Sequence, residues 1–262
     1  KCSIDWFENQ IIDKAWNLGF NKYYPKAILK GYRGIIPPNL YISQMYPTEI
    51  ERKSKVLPKK IIVIGNGFVK ETGKYLKIKN IEIGPAIRFN SIFDKYKIQN
   101  SRFYKILVVL PSSYIISNRI ISELYKLKFP TKCKIYIRFH PFTKQDLKMK
   151  KNFKESKLNF TRELIDTNLV ICNFTSSALE TLAFNKDLIF YNPNSNFNNI
   201  SIPSSLSKKY YKVAYDTFDL QNEIDFFYNT SKKKSKTPNR DILKKYFLKP
   251  IIANIKDLFE II

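Results

Sequence analysis

The chain has one histidine, three cysteines and fewer than half as many acidic as basic residues, 22 against 46. Each scarcity narrows what it can be. Cys2, Cys133 and Cys172 lie far apart, and the last two fall inside apolar strand patterns. That spacing points to buried thiols in a reducing cytoplasm, not to a zinc site or a disulfide framework. No apolar run reaches the roughly eighteen residues that a membrane-spanning helix needs. The opening Lys1-Cys2-Ser3-Ile4-Asp5 has neither an initiator Met nor a basic-then-apolar leader, so a soluble chain, and a fragment, is expected. No Asp-x-Asp triplet occurs, and neither a metal nor a cofactor is expected. In Lys60-Ile61-Ile62-Val63-Ile64-Gly65-Asn66-Gly67 a dinucleotide fingerprint is excluded, because the third glycine and the later ribose-binding acid are missing at the right spacing.

What is abundant is positive charge, a formal +24 on 262 residues. Such an excess attracts polyanions, whether nucleic acid, anionic lipid or a phosphorylated substrate. The lysines are spread over every segment, and no zinc-finger spacing, RNP aromatic motif or basic region with heptads is present, which argues against a specific nucleic-acid partner. Two origins of the charge stay open: a binding surface, or the Lys, Asn and Ile enrichment of an AT-rich genome.

With 44% apolar residues the chain can bury one large core or two modest ones, and two α/β lobes are expected. Residues 1–94 read as an N-terminal acceptor-side lobe that supplies about half of a Rossmann unit. It holds a strand at Ser3-Ile4-Asp5-Trp6, a helix from Glu8 to Leu18 with Ile11, Ile12, Ala15 and Trp16 on one face and Gly19 as its stop, a Pro- and Tyr-rich loop, and strands at Lys60–Ile64 and Ile81–Ile83. A polar hinge is expected over 90–102. Residues 105–230 alternate regularly: strand 106–110, helix 118–127, strand 134–139, helix 144–151, strand 169–172, helix 177–183, strand 188–191, and a last strand near 211–215. Strands alternating with helices predict a doubly wound parallel sheet. Residues 237–262 read as a C-terminal helical segment broken at Pro250.

Two clusters carry chemistry. Ile135-Tyr136-Ile137-Arg138-Phe139-His140-Pro141 is a buried strand ending in the only histidine, and Asn173-Phe174-Thr175-Ser176-Ser177-Ala178-Leu179-Glu180 is a polar turn between strand and helix. Both fall at carboxyl ends of parallel strands, where open α/β sheets bind ligands. Thr175, Ser176 and Ser177 sit at a helix amino terminus, whose unpaired N–H groups and dipole favour phosphate. Glu180, a turn later, can accept hydrogen bonds from ribose hydroxyls. The competing reading is a plain helix cap followed by an exposed acid. Arg138 and His140 share a face of their strand, so both could reach one anion, with Pro141 fixing the chain direction. His140 could donate to a leaving phosphate or act on it as an acid.

His-Pro at one strand end and Ser-Ser opening a later helix, within the run from Asp166 to Tyr191, resembles the donor half of GT-B glycosyltransferases over about residues 105–195. The likeness is greatest to bacterial surface-carbohydrate transferases of the sialyl and Kdo type. It implies a GT-B-like architecture, with a doubly wound nucleotide-binding lobe beside a smaller, incomplete α/β lobe. It also implies contacts from His140, Ser176 and Ser177 to the nucleotide phosphate, with Arg138, Pro141, Asn173, Thr175 and Glu180 as further nucleotide-binding candidates. The implied reaction moves a nonulosonate or Kdo-like sugar from a CMP donor to a glycan or lipid-linked glycan acceptor, in capsule or lipopolysaccharide synthesis. It would take place in the cytoplasm, at the inner membrane face. Polyol-phosphate polymerases that use CDP-glycerol show a similar pair of motifs, so a glycerophosphotransferase is the second reading. A nonenzymatic basic module on nucleic acid or membrane is the third.

Sialyltransferases carry their base in an acidic pair followed by glycine, and no such triplet occurs here. In Trp6-Phe7-Glu8-Asn9-Gln10, Glu8 is the substitute candidate for the catalytic base, with Asn9 and Gln10 toward the substrate; a helix-terminal acid is the alternative. Lys30, Arg33 and Arg88 are candidates for holding a sugar carboxylate or acceptor phosphate. The tract Lys232-Lys233-Lys234-Ser235-Lys236 is the candidate membrane contact, with a plain solvated loop as the alternative that base rate favours.

Overall fold

The computed structural model describes residues 2–94, 96, 102–141, 149–193, 200–230 and 238–259. The chain divides into two units: residues 1–93, 202–205 and 240–262 form the first, and 94–201 with 206–239 the second. The expected helix over 144–151 and the lysine tract at 232–236 lie wholly or mostly outside the described residues.

The first unit is built on four parallel strands in the order β1 (Cys2–Trp6), β2 (Ile28–Arg33), β3 (Lys60–Val63) and β4 (Ile81–Ile83). Sequence pattern misses β2, because Lys30, Gly31 and Arg33 break its apolar run. Yet every residue from Leu29 to Arg33 is buried. Gly31 has a packing reason, since a Cβ there would stand 2.6 Å from Pro58 and 2.9 Å from Phe7. The crossover α1 spans Ile11–Tyr23, so Gly19 does not end it. A glycine inside a helix costs only about 1 kcal/mol, and the helix stops instead before Tyr24-Pro25, where the proline disfavours helical geometry in its predecessor. Short helices α2 (Ile42–Met45), α3 (Glu49–Lys53) and α4 (Val69–Thr72) complete the crossovers.

The second unit contains β5 (Tyr104–Val109), α5 (Tyr114–Leu124), β6 (Cys133–Arg138), β7 (Phe153–Glu155), α6 (Phe160–Leu164), β8 (Leu169–Cys172), α7 (Ser177–Ala183), β9 (Asp187–Tyr191), β10 (Lys212–Ala214) and α8 (Thr217–Thr230). All six strands are parallel, ordered β10-β9-β8-β5-β6-β7, the doubly wound arrangement that the alternation predicts. β7, α6 and α8 are additions to the expected elements. One side of the core joins Ile106, Val108, Ile135, Ile137, Leu169, Ile171, Ile189 and Tyr191 to the apolar residues of α5 and α8.

The closing residues form α9 (Arg240–Tyr246) and α10 (Ile252–Phe259), broken around Pro250 as expected, and they join the first unit. The Leu248 N–H donates to Ile64 O at 2.7 Å and its carbonyl accepts from Ala86 N at 2.8 Å, so this segment bridges the ends of β3 and β4. Phe247 packs edge-on against Phe89 and Tyr246 against Phe68. The Gly65-Asn66-Gly67 turn is therefore a packing turn. A Cβ on Gly65 would lie 2.3 Å from the Tyr246 carbonyl carbon, and one on Gly67 2.3 Å from the Tyr246 ring. Gly65→Ala is expected to lower stability by about 1–3 kcal/mol through overpacking against backbone. Urea unfolding checks this, and an unchanged midpoint would mean that the α9 segment can shift freely.

Candidate functional site

Topology in the second unit reverses between β5 and β8, and the strands there end level. Val109 is in register with both Arg138 and Cys172, and Cys172 with Phe190. Three chain segments leave this edge: Leu110-Pro111-Ser112-Ser113 into α5, Phe139-His140-Pro141 past β6, and Asn173-Phe174-Thr175-Ser176 into α7. The amino termini of α5 and α7 thus both open at the carboxyl edge on neighbouring strands, with their dipoles and first-turn N–H groups directed there. Ser112 and Ser113 are absent from the sequence-derived candidates, although strand, Ser-Ser, helix is the same signal that singles out 176–177. Ser113 caps α5 by accepting from Ile116 N, and the buried Ser117 hydroxyl ties the turn to Pro111 O at 3.0 Å.

At the second Ser-Ser the capping is done by neither serine. Thr175 Oγ1 accepts from Ser177 N at 3.3 Å, while the Ser176 side chain makes no cap bond. Ser176, Ser177 and Glu180 are half-buried at the mouth of α7. His140 is half-buried as well, and desolvation lowers its pKa below the usual 6.5, which favours the uncharged imidazole. Pro141 is exposed beside it.

Two nucleotide candidates are engaged elsewhere. The Arg138 Nη1 donates to Leu158 O at 2.7 Å and the guanidinium lies over Phe160, so it tethers the loop before α6. Asn173 is buried, and its amide donates to Tyr191 O at 2.7 Å and Asn192 Oδ1 at 2.8 Å, which locks the ends of β8 and β9 together. β6 ends at Arg138, so His140 lies past the strand on which the two were expected to share a face, and one Arg138 donor is taken by Leu158 O.

In the first unit the end of β1 holds Glu8. Its two carboxylate oxygens accept from Trp6 Nε1 at 2.7 Å and Gln10 Nε2 at 2.6 Å, while Asp13 accepts from the Glu8 and Gln10 backbone N–H groups. Asp13, not Glu8, therefore serves the helix terminus, and Glu8 is held as an oriented carboxylate. Asn9 adopts a left-handed φ of 59°, is buried, and donates to Ser43 O, so it shapes the turn.

The basic candidates separate in the same way. Arg33 is buried, donating to Met45 O, Gln44 O and Thr72 Oγ1, and desolvation lowers its pKa to about 10 against the raising influence of Glu71 and Glu8. It lines a cavity of about 20 Å³ with Met45, Phe68, Glu71 and Thr72, which is room for a single water and not for a sugar. Lys30 is buried in the middle of β2, 3.4 Å from Glu82, away from the carboxyl edge. Arg88 alone of the three is exposed, past the end of β4 and over Phe89.

Among the described residues no group of three or more His, Cys, Asp or Glu is arranged to hold a metal, and no helix is long and apolar enough to cross a membrane. No family model and no curated protein matches the chain. Solved structures do match in fold. The UDP-GlcNAc 2-epimerase of Neisseria meningitidis bound to UDP-GlcNAc superposes with a TM-score of 0.61 at 11% identity, over 99% of this chain and 75% of that one. Anabaena Alr3699/HepE in complex with UDP and glucose gives 0.53 at 10%, over 95% and 75%. A histidine-to-asparagine variant of the wall teichoic acid polymerase TagF gives 0.59 at 9%, over 99% and 72%, and the same variant soaked with CDPG gives 0.52 at 10%, over 89% and 66%. At these identities the likeness establishes the fold: a GT-B-like α/β architecture.

Replacing Ser176 and Ser177 together by alanine is expected to weaken nucleotide binding by about 1–3 kcal/mol, from lost hydrogen bonds to a charged group, with the fold intact because Thr175 keeps the cap. Calorimetric titration with CMP checks it, and an unchanged affinity would leave the two serines a local role only.

Proposed function

We propose that the protein is a transferase that moves an acidic, nonulosonate or Kdo-like sugar from a CMP donor to a bacterial surface glycan, without a metal. The observation that carries this reading is the level edge at β6, β5 and β8, where His140-Pro141 and Thr175-Ser176-Ser177 leave on either side of the strand that opens α5. Helix N–H groups and serine hydroxyls can bind a phosphate without a metal. Glu180 is the candidate for the ribose. The neutral His140 ring is suited to donate an N–H to the departing phosphate, and a bound phosphate would raise its pKa. In the first unit, Glu8 is the oriented carboxylate available to take the acceptor hydroxyl's proton, and Arg88 the exposed cation for an acidic group. The acceptor in this reading is carried on lipid at the inner membrane face.

A second reading, glycerophosphoryl transfer from CDP-glycerol, draws support from the likeness to TagF soaked with CDPG. The readings share cytidine and differ in the bond broken: sugar carbon to oxygen in the first, phosphorus to oxygen in the second. Calorimetry with CMP, UDP and GDP, followed by turnover of a CMP-activated acidic sugar against CDP-glycerol in the presence of chelator, tests them. Cytidine preference with turnover of the acidic sugar is expected. Preference for UDP, or turnover lost with chelator, would overturn the proposal.

His140→Ala is expected to lower turnover about 10²-fold or more, as an acid or donor at the leaving group acts mainly in the transition state. The pH dependence has a definite sign. The free-protein pKa lies below 6.5 and anion binding raises it, so CMP affinity should strengthen as pH falls through that interval. The His140→Ala variant should lose this added strengthening; identical pH profiles would remove His140 from the phosphate.

A further inference from the structure

At the amino edge of the first sheet, opposite the end that carries Glu8, a cavity of about 310 Å³ opens between the last turns of α1 and α3 and the residues that lead into β2, β3 and β4. Arg52, Lys55 and Lys59 line it, and among the described residues no acid does. Each cation is held by the fold. Arg52 Nε donates to Glu49 Oε2 at 2.7 Å, which leaves both Nη groups without a partner among the described residues. The other Glu49 oxygen accepts from the Lys77 N–H at 2.8 Å, and these bonds hold the carboxylate below its ordinary pKa. Lys59 Nζ donates to Pro25 O at 2.9 Å and Ala27 O at 2.5 Å, so its ammonium is pinned between carbonyls with one N–H left over. Lys55 stands just past α3 with a left-handed φ of 62°, at the position where a helix commonly places glycine, and its carbonyl accepts from Asn21 Nδ2 at 3.0 Å. That backbone is costly for a lysine and free for a glycine. The side chain retained at this cost is on the cavity wall.

We propose that this cavity binds a sugar phosphate, as the phosphomonoester, at a second site remote from the transfer chemistry. The local charge count selects the anion. Glu49 answers Arg52, whereas Lys55 and Lys59 have no acidic partner among the described residues, so two cations on the wall stand uncompensated. A phosphomonoester carries close to two negative charges at neutral pH, and the Nη fork of an arginine matches two of its oxygens. Pro25, Leu57 and Pro58 supply apolar wall for a carbon skeleton, and the volume lies at the low end for ligand pockets, which suits one sugar ring with its phosphate. None of the lining residues lies on the edge strand β1; they come from α1, from the chain between α3 and β3, and from the approaches to β2 and β4. Glu8 follows the far end of β1, a strand's length away, roughly 15–20 Å. The site is therefore independent of the transferase reading, and the two can be tested separately.

The test is calorimetric titration of the full chain at about 0.15 M sodium chloride, where long-range attraction between exposed charges is screened. The probes are glucose 6-phosphate, its methyl phosphodiester, glucose and sulfate. Glucose 6-phosphate is expected to bind, and each of the others to bind about tenfold more weakly or not at all, since each lacks the second charge or the sugar or the phosphate. The diester is the form that the group takes in a polymer or a lipid headgroup, so this arm separates a free sugar phosphate from those sources. Arg52→Gln and Lys55→Gly should each weaken glucose 6-phosphate binding about tenfold and leave CMP affinity unchanged. Lys55→Gly decides between binding and structure, because glycine relieves the left-handed backbone: its urea midpoint should be no lower than that of the parent while binding falls. Unchanged affinity in Lys55→Gly, or no heat with glucose 6-phosphate, overturns the proposal. So does binding of sulfate or the diester as tightly as the monoester, which would reduce the cavity to diffuse attraction by a basic surface.

Discussion

The level register of the three parallel strands β6, β5 and β8 is the constraint on which the candidate site depends. Parallel strands need crossovers, and crossovers put helices on the faces and their amino termini at the carboxyl edge. With Val109 in line with Arg138 and Cys172, each strand releases its chain at the same height. His140, the Ser112-Ser113 turn and the Thr175-Ser177 turn are then brought to one edge by hydrogen-bond registry alone. The apolar interior that enforces this registry, Ile106, Val108, Ile135, Ile137, Leu169 and Ile171, is almost wholly inaccessible to water. Slipping any of these strands by one residue would turn its buried side chains to the other face and move the loops with them.

The opposite end of β5 is fixed by charge. Lys105 reaches Glu163 at 2.5 Å and Asp166 at 3.0 Å, and Ser156 donates to the second oxygen of Glu163. Burial alone would lower the Lys105 pKa, but hydrogen bonds to the two carboxylates outweigh it and leave the ammonium above its ordinary value. Glu163 and Lys105 are both buried, so removing either partner would strand the other charge at a large cost. The ion pair links the start of β5 to α6, and the Lys105 backbone is joined to Asn168 ahead of β8. The central strands are thus clamped at one end, and the loops at the other end are left for chemistry.

Periodicity and turn residues are legible where a segment decides its own structure. The runs at 169–172 and 177–183 match β8 and α7 residue for residue, because an uninterrupted apolar tetrad and a Ser-Ser start leave few alternatives. β2 is not legible: its Lys30, Gly31 and Arg33 read as surface residues, and only the tertiary structure supplies Glu82 for one cation and backbone carbonyls for the other. Candidate residues separate by the same rule. His140, Ser176, Ser177 and Glu180 stand at the edge as expected, whereas Arg138, Asn173, Asn9 and Arg33 spend their donors on backbone carbonyls that no sequence pattern announces. A polar residue type says what a group can bond to, and not whether the fold has already used it.

The same limit applies to direction. The spacing of Ile11, Ile12, Ala15 and Trp16 gives the helix and its two faces, but spacing alone does not say which face turns inward. In α1 the choice is made by specific polar bonds, Asn21 to the chain after α3 and Lys14 to Glu51 within it. Each is worth little alone. Together they hold a polar face inward against the transfer free energy of exposed isoleucines, about 25 cal/mol for every Å² of apolar surface that inversion would bury. The inward polar bonds and the outward isoleucines are thus two sides of one arrangement, set by the contacts that α1 makes with the chain in and after α3.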